Sequence, residues 1–156
     1  MAPTLPSNSG EEQFLIEFGM PAEYAHDRGF EASITLRGQH WDGDHHYPFS
    51  TRIDGLCLRA TDLIDFRDHI IRWVRQSIDR LKADDLSAEF QLARLPGQSV
   101  CVRFGGRPDT ISECPVCSVT LSAGALLGDF HFVTDQSCLA LFAKELSSEL
   151  VLEDRT

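Results

Sequence analysis

The chain has 156 residues, one domain's length, and could bury roughly 70% of its unfolded surface. Its hydrophobic content of 42% excludes disorder as the default. The balance of 24 acidic to 14 basic residues, a formal net charge of −10, excludes nonspecific nucleic-acid binding and attraction to an anionic membrane; it suits a protein that binds something basic.

Residues 1–10 are small and polar with prolines at 3 and 6, which predicts a flexible leader ahead of a single globular domain over 11–153. No arginine or lysine precedes Arg28, and no apolar run reaches the length of a signal-peptide core or a spanning helix, so the chain reads as cytosolic. Gln13-Phe-Leu-Ile-Glu-Phe18 is a short strand candidate. Phe30, Ala32, Ile34 and Leu36 alternate with Glu31, Ser33, Thr35 and Arg37, the period of a half-buried strand. A polar loop over 38–46 follows, and Tyr47, Phe49, Thr51 and Ile53 begin another strand.

A helix comes next. Thr61 is its expected N-cap, with Asp62 and Asp65 near the positive end of the helix dipole. Leu63, Phe66, Ile70, Trp73, Val74, Ile78 and Leu81 form its apolar stripe, and Ala83-Asp-Asp85 ends it. Asp68 with Arg72, and Arg75 with Asp79, have the spacing of surface ion pairs, each worth about 0.2–0.5 kcal/mol.

Four more strands are predicted around Phe90, Val102, Val119 and Phe130, with turns at Leu95-Pro-Gly-Gln98 and Ser122-Ala-Gly124. Thr134 or Asp135 then caps a last helix with the stripe Leu139, Phe142, Leu146 and Leu150. Short turns require antiparallel pairing. The expected fold class is α+β: a curved antiparallel sheet of about six or seven strands, one long amphipathic helix packed on it, and a C-terminal helix.

Three stretches carry a family resemblance. They are Ala60-Thr-Asp-Leu63 with Phe66 and Ile70; Glu89-Phe-Gln-Leu92 with Val100-Cys-Val-Arg103; and Phe130-His-Phe-Val-Thr-Asp-Gln136 with Leu139, Phe142 and Leu146. Together, over residues 30–150, the chain resembles the WapI-type immunity proteins of bacteria. The resemblance implies a cytosolic protein that binds and neutralises a toxin domain, without catalytic residues or a cofactor. The Cys114-Pro-Val-Cys117 stretch departs from that pattern.

An inhibitory binder agrees with the composition, because complementary fields accelerate association with a basic partner. The candidate partner-binding residues are Trp41, Asp42, Asp44, Asp62, Asp65, Asp68, Asp84 and Asp85, with Trp41 as an aromatic anchor.

Other constellations bear on chemistry. His40, Asp42, Asp44, His45 and His46 form the densest set of metal-ligand types, so a small metal-dependent enzyme or a metal-stabilised module is the alternative reading. No second cluster completes that site. Cys114 and Cys117 are half of a zinc knuckle without the other half; with Cys57, Cys101 and Cys138 they read as small core side chains in a reducing compartment. His131, between Phe130 and Phe132, is expected to point away from both. No Gly-x-Ser-x-Gly elbow or P-loop occurs.

Overall fold

Phe14 and Ile16 face one side of the first strand candidate while Gln13 and Glu17 face the other, and that alternation runs through most of the chain. In the computed structural model, which describes residues 2–7, 9–24, 27–75, 88–95, 97–105 and 116–154, it produces two sheets. Strands β1 (Thr4–Pro6), β2 (Gln13–Tyr24), β3 (Asp27–Asp42) and β4 (His45–Arg59) make the first, in chain order. Helix α1 (Ala60–Arg75) follows. Strands β5 (Ala88–Leu95), β6 (Gln98–Gly105), β7 (Val116–Ala123) and β8 (Leu126–Val133) make the second, again in chain order, and α2 (Gln136–Asp154) closes the chain. Every strand pair is antiparallel.

The α+β class stands, but the single sheet of about six or seven strands does not: there are two sheets of four. Short turns bind strands within each run and leave open whether the runs join. Here a helix stands between β4 and β5, which relieves them of any need to be neighbours. Each run then forms its own half-apolar sheet, and the two inner faces share one core with the helices.

The expected leader also differs. Leu5 is wholly buried, β1 pairs with β2 from Thr4↔Leu15 to Pro6↔Gln13, and the Thr134 hydroxyl donates to the Pro6 carbonyl at 2.9 Å. The Thr4 amide donates to Glu145 of α2 at 3.0 Å. A strand flanked by prolines is tolerated because β1 lies at a sheet edge.

Phe66 of α1 is the hub of the core. Its ring lies 5.1 Å from Phe90, 5.6 Å from Phe104 and 6.0 Å from Phe142, tying the helix to β5, β6 and α2 at once. Leu63, Ile70 and Trp73 complete the buried stripe. The helix opens at Ala60, so Thr61 falls inside the first turn. The rest of the expected stripe and its end, from Ile78 through Leu81 to Asp85, lie outside the described residues.

Of the two candidate caps for the last helix, Asp135 takes the role. Its Oδ1 accepts the Cys138 amide at 2.8 Å and its carbonyl accepts the Leu139 amide at 3.0 Å. The Cys138 amide foremost, with the Ser137 amide, holds the carboxyl below the usual carboxylate range. The sequence placed a cap at Thr134 or Asp135, and the hydrogen bonds select Asp135.

Candidate functional site

The pairing registers identify an unusual element. β2 pairs with β3 only as far as Arg37, while β3 and β4 continue to pair out to Asp42↔His45. Residues 38–42 and 45–49 therefore overhang the first sheet as a two-stranded ribbon, turned at Gly43, whose φ is +62°. Such ribbons are marginal alone. This one is seated by Phe49, whose ring packs edge-on against Phe130 of β8 at 5.9 Å. A Cβ at Gly38 would lie 2.5 Å from that ring, so the close approach requires glycine there.

Seating is incomplete. Tyr47 is 53% exposed and Phe49 43% exposed, two residues apart on one strand and hence on one face. Beside Phe49 the sheets part into a cleft of about 130 Å³. Leu36, Phe49 and Thr51 wall it from the first sheet, and Leu121, Gly128 and Phe130 from the second. The exposed Asp129, whose Oδ1 accepts the Thr120 hydroxyl at 2.8 Å, borders it.

The sequence-predicted residues distribute as follows. Trp41 pairs with His46, and Asp42 with His45, at the end of the ribbon; Asp44 shares the turn with Gly43. Asp42, Asp44, His45 and His46 are exposed. What was expected to be a loop over 38–46 is thus strand and turn. By pleat and register, Asp42 and His45 share a face that His46 does not. Among the described residues, no group of three or more His, Cys, Asp or Glu is placed to hold a metal.

Asp62, Asp65 and Asp68 lie on α1, half-buried, exposed and exposed in turn. β4 separates them from Asp42 and Asp44 by its 15 residues, on the order of 45 Å of strand. The fold therefore does not gather the aspartates into one patch. Asp68 binds Arg67 at 3.0 Å rather than the Arg72 its spacing suggests. Asp84 and Asp85, like Asp79, fall outside the described residues.

Other acidic groups are matched on the outer faces of the sheets. Arg52 binds Asp54 at 2.8 Å and Glu17 at 3.1 Å, and the Ser33 hydroxyl donates to Asp54 at 2.6 Å. The Ser33 bond first, then Arg52, holds the Asp54 carboxyl below its ordinary range. Arg103 binds Glu89 at 2.9 Å across β5 and β6.

Cys117 is wholly buried between Phe104 and Phe132 in register, and burial pushes its thiol far up, which leaves it a protonated core side chain. Its sequence partner Cys114 lies outside the described residues. His131 does point away from Phe130 and Phe132, and its Nδ1 lies 2.9 Å from the Ser118 hydroxyl. Both sit on an open sheet face, where a cross-strand polar pair is the ordinary arrangement.

Sequence reasoning missed Tyr47 and Phe49 as surface residues and Gly128 as a cleft wall. Alternation marked the two aromatics for a buried face. Only the register shows that the β3–β4 pair they belong to outruns β2.

No family model and no curated protein matches the sequence. Among solved structures, the chain is similar to one described as the structure of the plant transcriptional regulator PBF-2, with a TM-score of 0.49 and 9% identity, over 96% of this chain and 80% of that one. Among the described residues, no helix is long and apolar enough to cross a membrane.

Proposed function

We propose that this chain is a non-enzymatic binding protein that neutralises a basic toxin domain, as the resemblance to WapI-type immunity proteins implies, and that it docks through the β3–β4 ribbon. The observation that carries the reading is the ribbon itself: Tyr47 and Phe49 exposed on one face, with Asp42 and Asp44 exposed at its turn. Aromatic side chains presented to solvent on an ordered element make effective interface anchors. Carboxylates at the leading end of a projection meet a basic partner first, where long-range attraction speeds encounter.

The acidic set then divides in two. Asp42 and Asp44 belong to the docking element with Trp41, while Asp62, Asp65 and Asp68 contribute to the general field. Nucleic acid and membrane are not partners in this reading. A cytosolic location accompanies it, in keeping with free thiols at Cys101, Cys117 and Cys138.

The test is calorimetric titration of this protein against the C-terminal domain encoded by its upstream neighbour gene. Saturable one-to-one binding, with loss of that domain's toxicity, is expected. No heat and no protection would remove the immunity role.

A further inference from the structure

Resting on the protein-docking reading above, we propose that the cleft beside Phe49 is a socket for one branched aliphatic side chain on an extended segment of the partner, next to a lysine or arginine of that segment. One residue leaves a place on the cleft's β8 wall bare of a side chain. Gly128 lies on the inner row of β8, opposite Leu121, where the following inner positions of the strand carry Phe130 and Phe132. A Cβ at 128 would meet nothing within 4 Å, so the core leaves this place unfilled. Glycine inside a strand weakens it and often marks a bulge, a tight bend or a place where a ligand or another backbone comes close. β8 has no bulge or bend in its pairing with β7.

Size and chemistry define the occupant. A cavity of about 150 Å³ walled by leucine, isoleucine and phenylalanine takes up benzene. A cleft of about 130 Å³ with Leu36, Leu121, Phe49 and Phe130 around it fits a single leucine or isoleucine side chain. It opens between β4 and β8, each of which ends its sheet, so an extended segment lying there also meets strand edges.

The charge along the ribbon beyond the socket is acidic, at Asp42 and Asp44. Asp129, though it adjoins the cleft, turns its carboxylate to the outer face of β8, where it accepts the Thr120 hydroxyl. The nearby cations face elsewhere. Arg37 and Arg52 sit on the opposite face of the first sheet by register, and Arg52 is held there by Glu17 and Asp54. A flanking lysine or arginine is therefore matched and a flanking glutamate repelled.

The experiment is an NMR titration of the intact protein with a capped heptapeptide carrying leucine at its centre and lysine on either side. Shifts should concentrate at Gly128, Phe130 and Phe49. Replacing the central leucine by alanine should abolish them, and replacing both lysines by glutamate should weaken binding about tenfold or more. Gly128→Val should fill the socket, retain the fold by circular dichroism and melting temperature, and lose the peptide shifts.

No shifts at these residues up to about 5 mM peptide, well into the range of weak binding, would overturn the socket. So would equal binding of the lysine and glutamate peptides, or a concentration-dependent dimer that Gly128→Val abolishes, which would make a second copy the occupant. Titrating the neighbour-encoded domain separates the two proposals. If it binds the Gly128→Val protein as tightly as the unaltered one, the socket fails and the docking reading survives; if only the peptide binds, the immunity reading fails alone.

Discussion

The second sheet and the overhanging ribbon of the first use the same alternating pattern to opposite ends. In β6 to β8 the inner residues Val100, Val102, Phe104, Cys117, Val119, Leu121, Phe130 and Phe132 are all buried. In the ribbon, Tyr47 and Phe49 hold equivalent inward positions and stay largely in solvent. Burial of an alternating face depends on what covers it. The second sheet shares one core with α1, α2 and the first sheet, whereas the ribbon runs past β2 and packs through Phe49 against Phe130 of β8.

The largest effect that would test this contrast is at the hub. Phe66→Ala should destabilise the protein by about 3–5 kcal/mol in urea unfolding, because three rings lose their common neighbour. Phe49→Ala should cost far less stability. A loss of comparable size at both positions would show the ribbon to be core. In binding the ranking reverses: Tyr47→Ala and Phe49→Ala should each weaken the toxin-domain complex by about 2 kcal/mol in calorimetry, while the melting temperature changes little.

A smaller effect concerns the entry to α2. Asp135→Ala removes the cap and should cost about 1 kcal/mol in denaturant unfolding. Since the folded carboxyl lies below its unfolded value, the stabilisation is complete above the ordinary carboxylate range and is lost as pH falls through the folded pKa. The difference between wild type and variant should therefore shrink in strong acid.

The smallest effect is at His69, whose ring packs on Phe90 at 5.1 Å. Burial first, and Arg72 second, push its pKa below the ordinary 6.5. The unfolded chain then binds the proton more readily, so stability is full above that value and declines as pH falls through it toward the folded pKa. His69→Gln should show a smaller drop in melting temperature between about pH 7.5 and pH 5.5. An equal drop in both proteins would place the pH sensitivity elsewhere.

Local chemistry determined a good deal. The alternation over 30–37, the turns near Gly97 and Gly124, the stripe Leu63, Phe66, Ile70 and Trp73, and a helix cap at Thr134 or Asp135 follow from periods and side-chain chemistry acting over a few residues. Those signals establish which segments are strands or helices and which side of each is apolar. The acidic excess, likewise, is a property of composition.

Only the tertiary structure decided how the pieces meet. Whether β4 and β5 would bond was open, because a helix connection satisfies either outcome. Leu5 could become a buried edge strand only once β2 offered it a partner, with Thr134 and Glu145 to hold its backbone. Tyr47 and Phe49 reached solvent because β3 and β4 outrun β2, a matter of register between distant segments. The cleft beside Gly128 needed two sheets to have walls at all. Periodicity sets the direction of each side chain, but burial is settled by whichever surface arrives opposite it.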